Sequence, residues 1–286
     1  MKNHKGFSNS SVIITGLARD TARVITNDIN NLLASFSDFT KVHFYIVESD
    51  SSDETVRVLR HLKNSILNFE FHSLGTLSGI FPDRIERLSY CRQFTQNHIR
   101  ASYSQFDYVC VSDLDGTNSI LSKNAVQSCW RRDDWEVCTA NQKGPYYDIY
   151  ALRHPTWSKR DYWEDVKELE SRGVHPMKSR RIAVHKKQIE IPPESEWIEV
   201  QSAFGGLAIY KMESYLRGQY SSKDEKGLTI CEHVPFHTSM RRYGSRIFIN
   251  PRLLNHQTKR FKNWKARIRY IRDYVYSFLF PKKFMK

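Results

Sequence analysis

Tyr108-Val109-Cys110-Val111-Ser112-Asp113-Leu114-Asp115-Gly116 is a short apolar run that ends in two acids and a glycine. Such a run reads as a central strand buried on both faces. The two carboxylates follow it one residue apart, where alternate side chains leave on the same side. An acid-x-acid-Gly sequence by itself is a common turn, so its meaning depends on what stands around it.

Toward the amino terminus, Val12-Ile13-Ile14-Thr15-Gly16-Leu17 is another buried strand. Asp20 is in position to cap a following helix, on which Ile25, Ile29, Leu32 and Phe36 share one face. Residues 42–47 form the next strand, and Ser51-x-x-Glu54 reads as a capping box before a helix carrying Leu59, Leu62 and Ile66. A further strand is expected over 69–74, and a helix from Pro82 or Asp83 through Arg92. Strands alternating with helices predict an α/β fold, a Rossmann-like, mostly parallel sheet flanked by helices. Ligands of such open sheets bind outside the carboxyl ends of the strands. That rule gathers Arg19, Glu48-Ser49-Asp50 and Asp113-Leu114-Asp115 on one rim.

The types of residue on that rim are informative. Asp113 and Asp115 are hard oxygen donors suited to Mg2+ or Mn2+. Glu48 and Asp50 are candidates to accept hydrogen bonds from a nucleobase or ribose, whereas Ser51, Asp53 and Glu54 are explained by capping alone. Arg84 and Arg92, eight residues apart on a helix, project on nearby sides and are candidate phosphate clamps, with Arg87 read as a solvated charge. Further on, residues 144–193 mix charged and aromatic residues without a period and read as a looped insertion. Gln201 to Tyr210 reads as a strand broken by Gly205-Gly206, and Arg246 to Ile249 as another strand. Trp157, Trp163 and Trp197 are candidates for stacking on sugars, although core packing is the commoner fate of a tryptophan.

The chain has 286 residues, of which 40% are hydrophobic and 13% aromatic, enough for a sizeable core and incompatible with general disorder. Its net charge of +13 is concentrated: residues 257–286 hold ten Lys or Arg against Asp273 alone, leaving +4 for everything before them. A body so nearly balanced is not a polyanion-binding surface, and no specific nucleic-acid partner is expected. In the tail Phe261, Trp264, Ile268, Ile271, Val275 and Phe278 recur at spacings of three and four between basic residues. That pattern predicts a basic amphipathic helix on an anionic membrane surface, the alternative for its first two turns being a helix packed on the preceding domain. No apolar run approaches the span of about 18 residues, and residues 1–11 have no hydrophobic signal core. The expected location is therefore cytoplasmic, peripherally on the cytosolic face of a membrane. Cys91, Cys110, Cys129, Cys138 and Cys231 include no C-x-x-C and read as reduced and buried.

In order along the chain come the acidic turn at Glu48–Asp50, Asp113-Leu114-Asp115, the glycine-bearing segment Ala203-Phe204-Gly205-Gly206-Leu207-Ala208-Ile209-Tyr210, then Cys231-Glu232-His233, and finally His256. This succession resembles the GT-A fold glycosyltransferases over roughly residues 12–256. More narrowly, Arg84-Ile85-Glu86-Arg87-Leu88-Ser89-Tyr90-Cys91-Arg92, Asp113-Leu114-Asp115-Gly116 and Ala203–Tyr210 resemble the capsule-associated α-1,3-mannosyltransferase family of fungi. The resemblance implies a GT-A-like catalytic domain over residues 1–256, with a nucleotide-sugar half at about 12–116 and an acceptor half at about 117–256, followed by the membrane-associating tail at 257–286. It implies transfer of a hexose to a glycan or lipid-linked acceptor in surface polysaccharide biosynthesis. The favoured donor is GDP-mannose, and UDP-sugars remain open.

The residue roles implied are equally specific. Mn2+ or Mg2+ would be held by Asp113, Asp115 and His256. Arg19, Glu48, Asp50, Arg84, Arg92 and Asp113 would meet the nucleotide-sugar, and Phe204, Gly205, Gly206 and His233 the acceptor. Glu232 would activate the acceptor if configuration is inverted, or stabilise the transition state and orient the acceptor if it is retained, as in the fungal family. His233 stands where many GT-A enzymes have a second acid, which leaves the identity of the base open. Two other classes compete: a sugar nucleotidylyltransferase, which needs a glycine-rich phosphate loop where Gly16-Leu17-Ala18-Arg19-Asp20 offers one glycine, and a non-catalytic membrane or nucleic-acid-binding protein.

Overall fold

The alternation of strands and helices holds as far as the acid pair. Strand β1 (Ser11–Ala18) leads to α1 (Ile25–Ser35), β2 (Lys41–Glu48) to α2 (Thr55–Ser65), β3 (Phe69–Ser73) to α3 (Arg84–Ser102), and β4 (Tyr108–Ser112) ends at Asp113. The computed structural model describes residues 6–258. Beyond β4 the chain forms α4 (Lys123–Gln127), β5 (Val137–Lys143), α5 (Tyr162–Ser171), α6 (Pro176–Ala183), β6 (Ile198–Val200), β7 (Leu207–Lys211), α7 (Met212–Arg217), α8 (His233–Arg241) and β8 (Ile247–Gln257).

All eight strands join one sheet in the order β3-β2-β1-β4-β7-β5-β8-β6. Strands β1 to β4, β5 and β8 point the same way, while β7, antiparallel to both β4 and β5, and the edge strand β6 run back. Both faces are covered, which explains the continuous apolar runs: Ile13 and Val109 enter one core, Val12, Ile14 and Cys110 the other. Helix α3 supplies Cys91 and Ile99 to the first core, and α1 and α2 supply Ile25, Ile29, Leu32 and Leu59 to the second. All five cysteines are buried and free.

The reversal of β7 brings a glycine turn to the acid pair. A strand running back begins beside the end of its neighbour, so Gly206 meets Asp113, whose N–H donates to the Gly206 carbonyl at 2.9 Å. Gly205 and Gly206 have φ of +68° and +82° and form a turn before the strand, not a break within a strand running from 201 to 210. The strand expected at 246–249 continues to Gln257 and carries His256.

Two caps differ from their sequence reading. Helix α1 starts at Ile25 without a side-chain cap, and Asp20, at φ +51°, instead accepts a hydrogen bond from the Ser52 N–H at 2.7 Å. Ser51 makes no capping box with Glu54: its hydroxyl accepts from the Asp20 N–H at 3.2 Å, and Asp53 accepts from the Thr55 N–H at 2.9 Å. The polar residues after β1 and β2 thus bind one loop to the other. The tail helix expected over 257–286 lies, from residue 259 on, outside the described residues. Among the described residues no helix is long and apolar enough to cross a membrane.

Gly16 lies where β1 passes closest to the end of β4. A Cβ there would stand 2.4 Å from the Ser112 carbonyl oxygen and 2.8 Å from the Leu114 side chain. Gly16→Ala is expected to destabilise the fold by about 1–3 kcal/mol or more, since the obstruction is backbone. Urea unfolding checks this, and an unchanged midpoint would contradict the packing described.

Candidate active site

At the carboxyl edge of the parallel strands lies a cavity of about 350 Å3. The loops after β1, β2 and β4, the first turns of α3, residues 147–151, Phe204 and residues 231–233 enclose it. Its position is that expected for an open α/β sheet, and its size falls in the range of small-molecule sites.

The floor is a buried charge network. Arg92 of α3 donates from Nε to Glu232 Oε1 at 3.0 Å and from Nη2 to Asp113 Oδ1 at 3.4 Å. Its guanidinium also lies 5.3 Å from the centre of the Phe204 ring, whose plane stacks on His233 at 3.9 Å. Glu232 is the residue before the first turn of α8, so one helix delivers the arginine and another its partner. Asp113, Asp115, Asp148 and Glu232 all line the cavity, and among these floor groups Arg92 is the cation.

Electrostatics follow from that imbalance. The Asp113 side chain is 34% exposed, on the wall of the cavity, and the surrounding protein still takes water from much of its carboxylate. Burial pushes its carboxyl up to about 7 against the pull of Arg92, helped by repulsion from Asp115, Asp148 and Glu232. Burial likewise raises Asp148, against hydrogen bonds from the Gly205 and Ala151 N–H groups. The same burial, reinforced by Arg92, pushes His233 well below its ordinary value, so its imidazole is neutral.

This donor set suits a hard divalent cation. Asp113 and Asp115 are oxygen ligands in a region with surplus negative charge, and Mg2+ commonly takes one or two carboxylates with the remaining positions left to substrate phosphates and water. His256 does not join them. It lies on β8 with Nδ1 3.3 Å from the Ser119 hydroxyl and lines a different depression. Among the described residues no three His, Cys, Asp or Glu side chains are grouped to hold a metal.

Of the residues singled out in the sequence, Arg19, Asp50, Arg84, Arg92, Asp113, Asp115, Phe204, Glu232 and His233 line the cavity. Glu48 is withdrawn from it: one carboxylate oxygen accepts from the Ser51 N–H at 3.0 Å and the other from the Ser73 hydroxyl, so the side chain builds the turn. Asp50, at φ +58°, accepts from the Leu77 and Ser78 N–H groups at 3.0 and 2.8 Å. Burial alone would raise its carboxyl, but the Ser78 and Leu77 donors outweigh burial and hold it below the usual range. Gly205 and Gly206 stand behind the floor as backbone partners of Asp148 and Asp113. Arg84 is exposed, whereas Arg92 is buried and already paired with Glu232 and Asp113. Arg87 is not a solvated charge: it donates to the Phe81 and Pro82 carbonyls at 2.6 and 2.9 Å. Trp157, Trp163 and Trp197 lie outside the cavity.

Three residues of the site were not evident from the sequence. Asp28 of α1 is buried and accepts from the Gly116 and Asn118 N–H groups at 2.7 and 3.4 Å, fastening the acid turn. Its signal was an acid on the same face as Ile25, Ile29 and Leu32. Tyr147 and Asp148 fall in the aperiodic insertion, where the sequence offers no local signal.

A pKa raised in the fold means that the folded state holds the proton more tightly than the unfolded chain. The stability Asp113 contributes is then full below about pH 4 and is lost as pH rises through about 7. Asp113→Asn, which stays neutral, is expected to be more stable than the parent at about pH 8, the difference narrowing toward about pH 4. Thermal unfolding across that range without added metal checks the sign.

No family model matches the chain, and no curated protein matches it. Solved structures do align with it. TarS of S. aureus, residues 1–349, aligns with a TM-score of 0.46 at 15% identity, over 84% of this chain and 57% of that one. The mannosyltransferase PcManGT from Pyrobaculum calidifontis, in complex with GDP-Man and Mn2+, aligns with a TM-score of 0.49 at 12% identity, over 96% of this chain and 64% of that one. The galactosyltransferase LgtC, with donor and acceptor sugar analogs, aligns with a TM-score of 0.38 at 14% identity, over 72% of this chain and 59% of that one. The chain spans about three fifths of the length of these similar structures.

Proposed function

We propose that this protein is a metal-dependent glycosyltransferase that moves a hexose from a nucleoside-diphosphate sugar to a hydroxyl of a glycan or lipid-linked acceptor. The observation that carries this reading is the acid-floored cavity at the carboxyl edge of the sheet, with the acid turn held at both ends. Asp113 is tied to Gly206, and the turn after Asp115 is tied to Asp28. A floor of four carboxylates and one buried arginine repels a bare anion, but suits an anion that arrives with a divalent cation.

In this reading Asp113 and Asp115 would hold Mn2+ or Mg2+, which would supply charge neutralisation for a departing diphosphate. Arg19 and Arg84 meet the phosphates at the mouth of the cavity. Leu17, Ala18, Arg19, Thr21, Ser49 and Asp50 form the wall for the nucleoside. Arg92 keeps Asp113 and Glu232 at fixed separation. Glu232, with one oxygen engaged by Arg92 Nε, acts by orienting groups in the cavity more readily than by taking a proton. That role agrees with retention of configuration, which the sequence resemblance also implies. The resemblance favours GDP-mannose, with a UDP-sugar as the other possibility, and surface polysaccharide as the product. The basic segment after Thr258 would hold the enzyme to an anionic membrane on the cytosolic side.

Ligands that bind only the native state add about 2.7 kcal/mol of stability at a concentration a hundred times Kd. One nucleotide class among UDP, GDP and their sugars is expected to raise the thermal midpoint only with Mn2+ or Mg2+, and Asp115→Ala to lose the shift while remaining folded. A folded parent that responds to no nucleotide would refute the proposal. For the tail, the full chain is expected to sediment with anionic vesicles and to lose this on removal of residues 259–286; unchanged sedimentation would refute membrane attachment through it.

A further inference from the structure

We propose that Asp28 is a positioning residue for the cation site: by gripping the turn of residues 113–118 from outside the cavity, it sets how Asp113 and Asp115 are presented and so how tightly a divalent ion is held. The inference rests on the glycosyltransferase reading of that site and adds to it a residue that takes no part in ligation.

Helix α1 takes hold of this turn at three backbone atoms. Asp28 Oδ2 accepts from the Gly116 N–H at 2.7 Å, and Oδ1 accepts from the Asn118 N–H at 3.4 Å. Asn31, one helical turn further on, donates from its side-chain amide to the Asn118 carbonyl at 3.3 Å. From there the grip passes to both acids. The Asn118 side-chain amide donates to the Asp113 carbonyl at 2.8 Å and to the Ser112 hydroxyl at 3.0 Å, so the residue that Asp28 holds in turn holds Asp113. Thr117 stands between the two residues bonded by Asp28, and its hydroxyl donates to Asp115 Oδ1 at 3.0 Å.

Two features separate this carboxylate from the acids of the floor. Asp28 is 2% exposed and is not part of the cavity wall, and N–H groups engage both of its oxygens, so it is not itself a ligand. It also stands on the buried face of α1 with Ile25, Ile29 and Leu32, where an apolar side chain would pack without the desolvation that a carboxylate incurs. Its place is explained by the amides that it satisfies, not by packing. Gly116, at φ +96°, brings the conformational freedom of glycine next to Asp115, and the bond from its N–H to Asp28 removes that freedom. Groups that hold metal ligands from outside fix the orientation of those ligands, and their loss commonly weakens metal binding about 10- to 100-fold.

The test titrates the full chain with Mn2+, alone and with GDP or UDP, and reads the bound ion by electron paramagnetic resonance. The parent is expected to bind Mn2+, and Asp115→Ala to lose it. Asp28→Ala is expected to raise the Kd for Mn2+ about tenfold or more. Asp28→Asn, which keeps an oxygen for the Gly116 N–H, and Asn31→Ala are expected to lose less, and both carry the test should Asp28→Ala fail to fold. Leu32→Val, on the same buried face of α1 and without a bond to the turn, is expected to lower the thermal midpoint and leave the Kd unchanged. The proposal is overturned if the folded Asp28 variants bind Mn2+ as the parent does, or if Leu32→Val weakens binding as much as they do. The expected Mn2+ pattern in a parent that responds to no nucleotide would keep the role of Asp28 and sink the transferase reading. A parent that binds no Mn2+ would sink both.

Discussion

A buried guanidinium holds this molecule's site together. Arg92 leaves α3 and meets Asp113 at the end of β4 and Glu232 before α8, three segments brought together from 140 residues of chain. A charge so deeply placed is stable only when paired, and loss of one partner of such a group typically costs about 3–5 kcal/mol. The pairing therefore constrains where α3 and α8 can sit on the sheet, and with them the walls of the cavity. Phe204 lies against the same group and stacks on His233, so the apolar and the ionic parts of the floor are one packing unit.

Around that pair the chain has assembled more negative charge than it neutralises. Asp113 is pushed up mainly because it is buried, and the other three acids add to the effect. A protein that only needed a stable floor would do better with fewer carboxylates, since like charges crowded around one cavity oppose folding. Strain of this kind at a cavity is common where a ligand supplies the missing charge.

Much of this was legible in the sequence because it depends on local pattern. Continuous apolar runs marked β1, β2 and β4, and the rule for open sheets gathered Arg19, Asp50, Asp113 and Asp115 on one rim from the order of residues alone. What failed depends on contacts distant in sequence. Glu48 looked like a ligand-facing acid, and only the positions of Ser51 and Ser73 show that its oxygens are already taken. His256 looked like a third metal ligand, but β8 runs on to Gln257, and His256 lines another depression with its Nδ1 at the Ser119 hydroxyl. Tyr147 and Asp148 had no signal because they sit in irregular backbone, where position is set by what the loop touches. Asp28 was visible as an acid on an apolar helix face, a mismatch that finds its reason only in the Gly116 and Asn118 amides.

Helix α3 also sets depth in the cavity. Arg84 opens its first turn at the mouth and Arg92 lies at the floor. With about 1.5 Å of rise per residue, eight residues separate their backbones by about 12 Å. Arg84 is exposed, while Arg92 is buried and paired with Glu232 and Asp113. The helix acts as a ruler, setting an open arginine at one level of the cavity and a paired one at a deeper level.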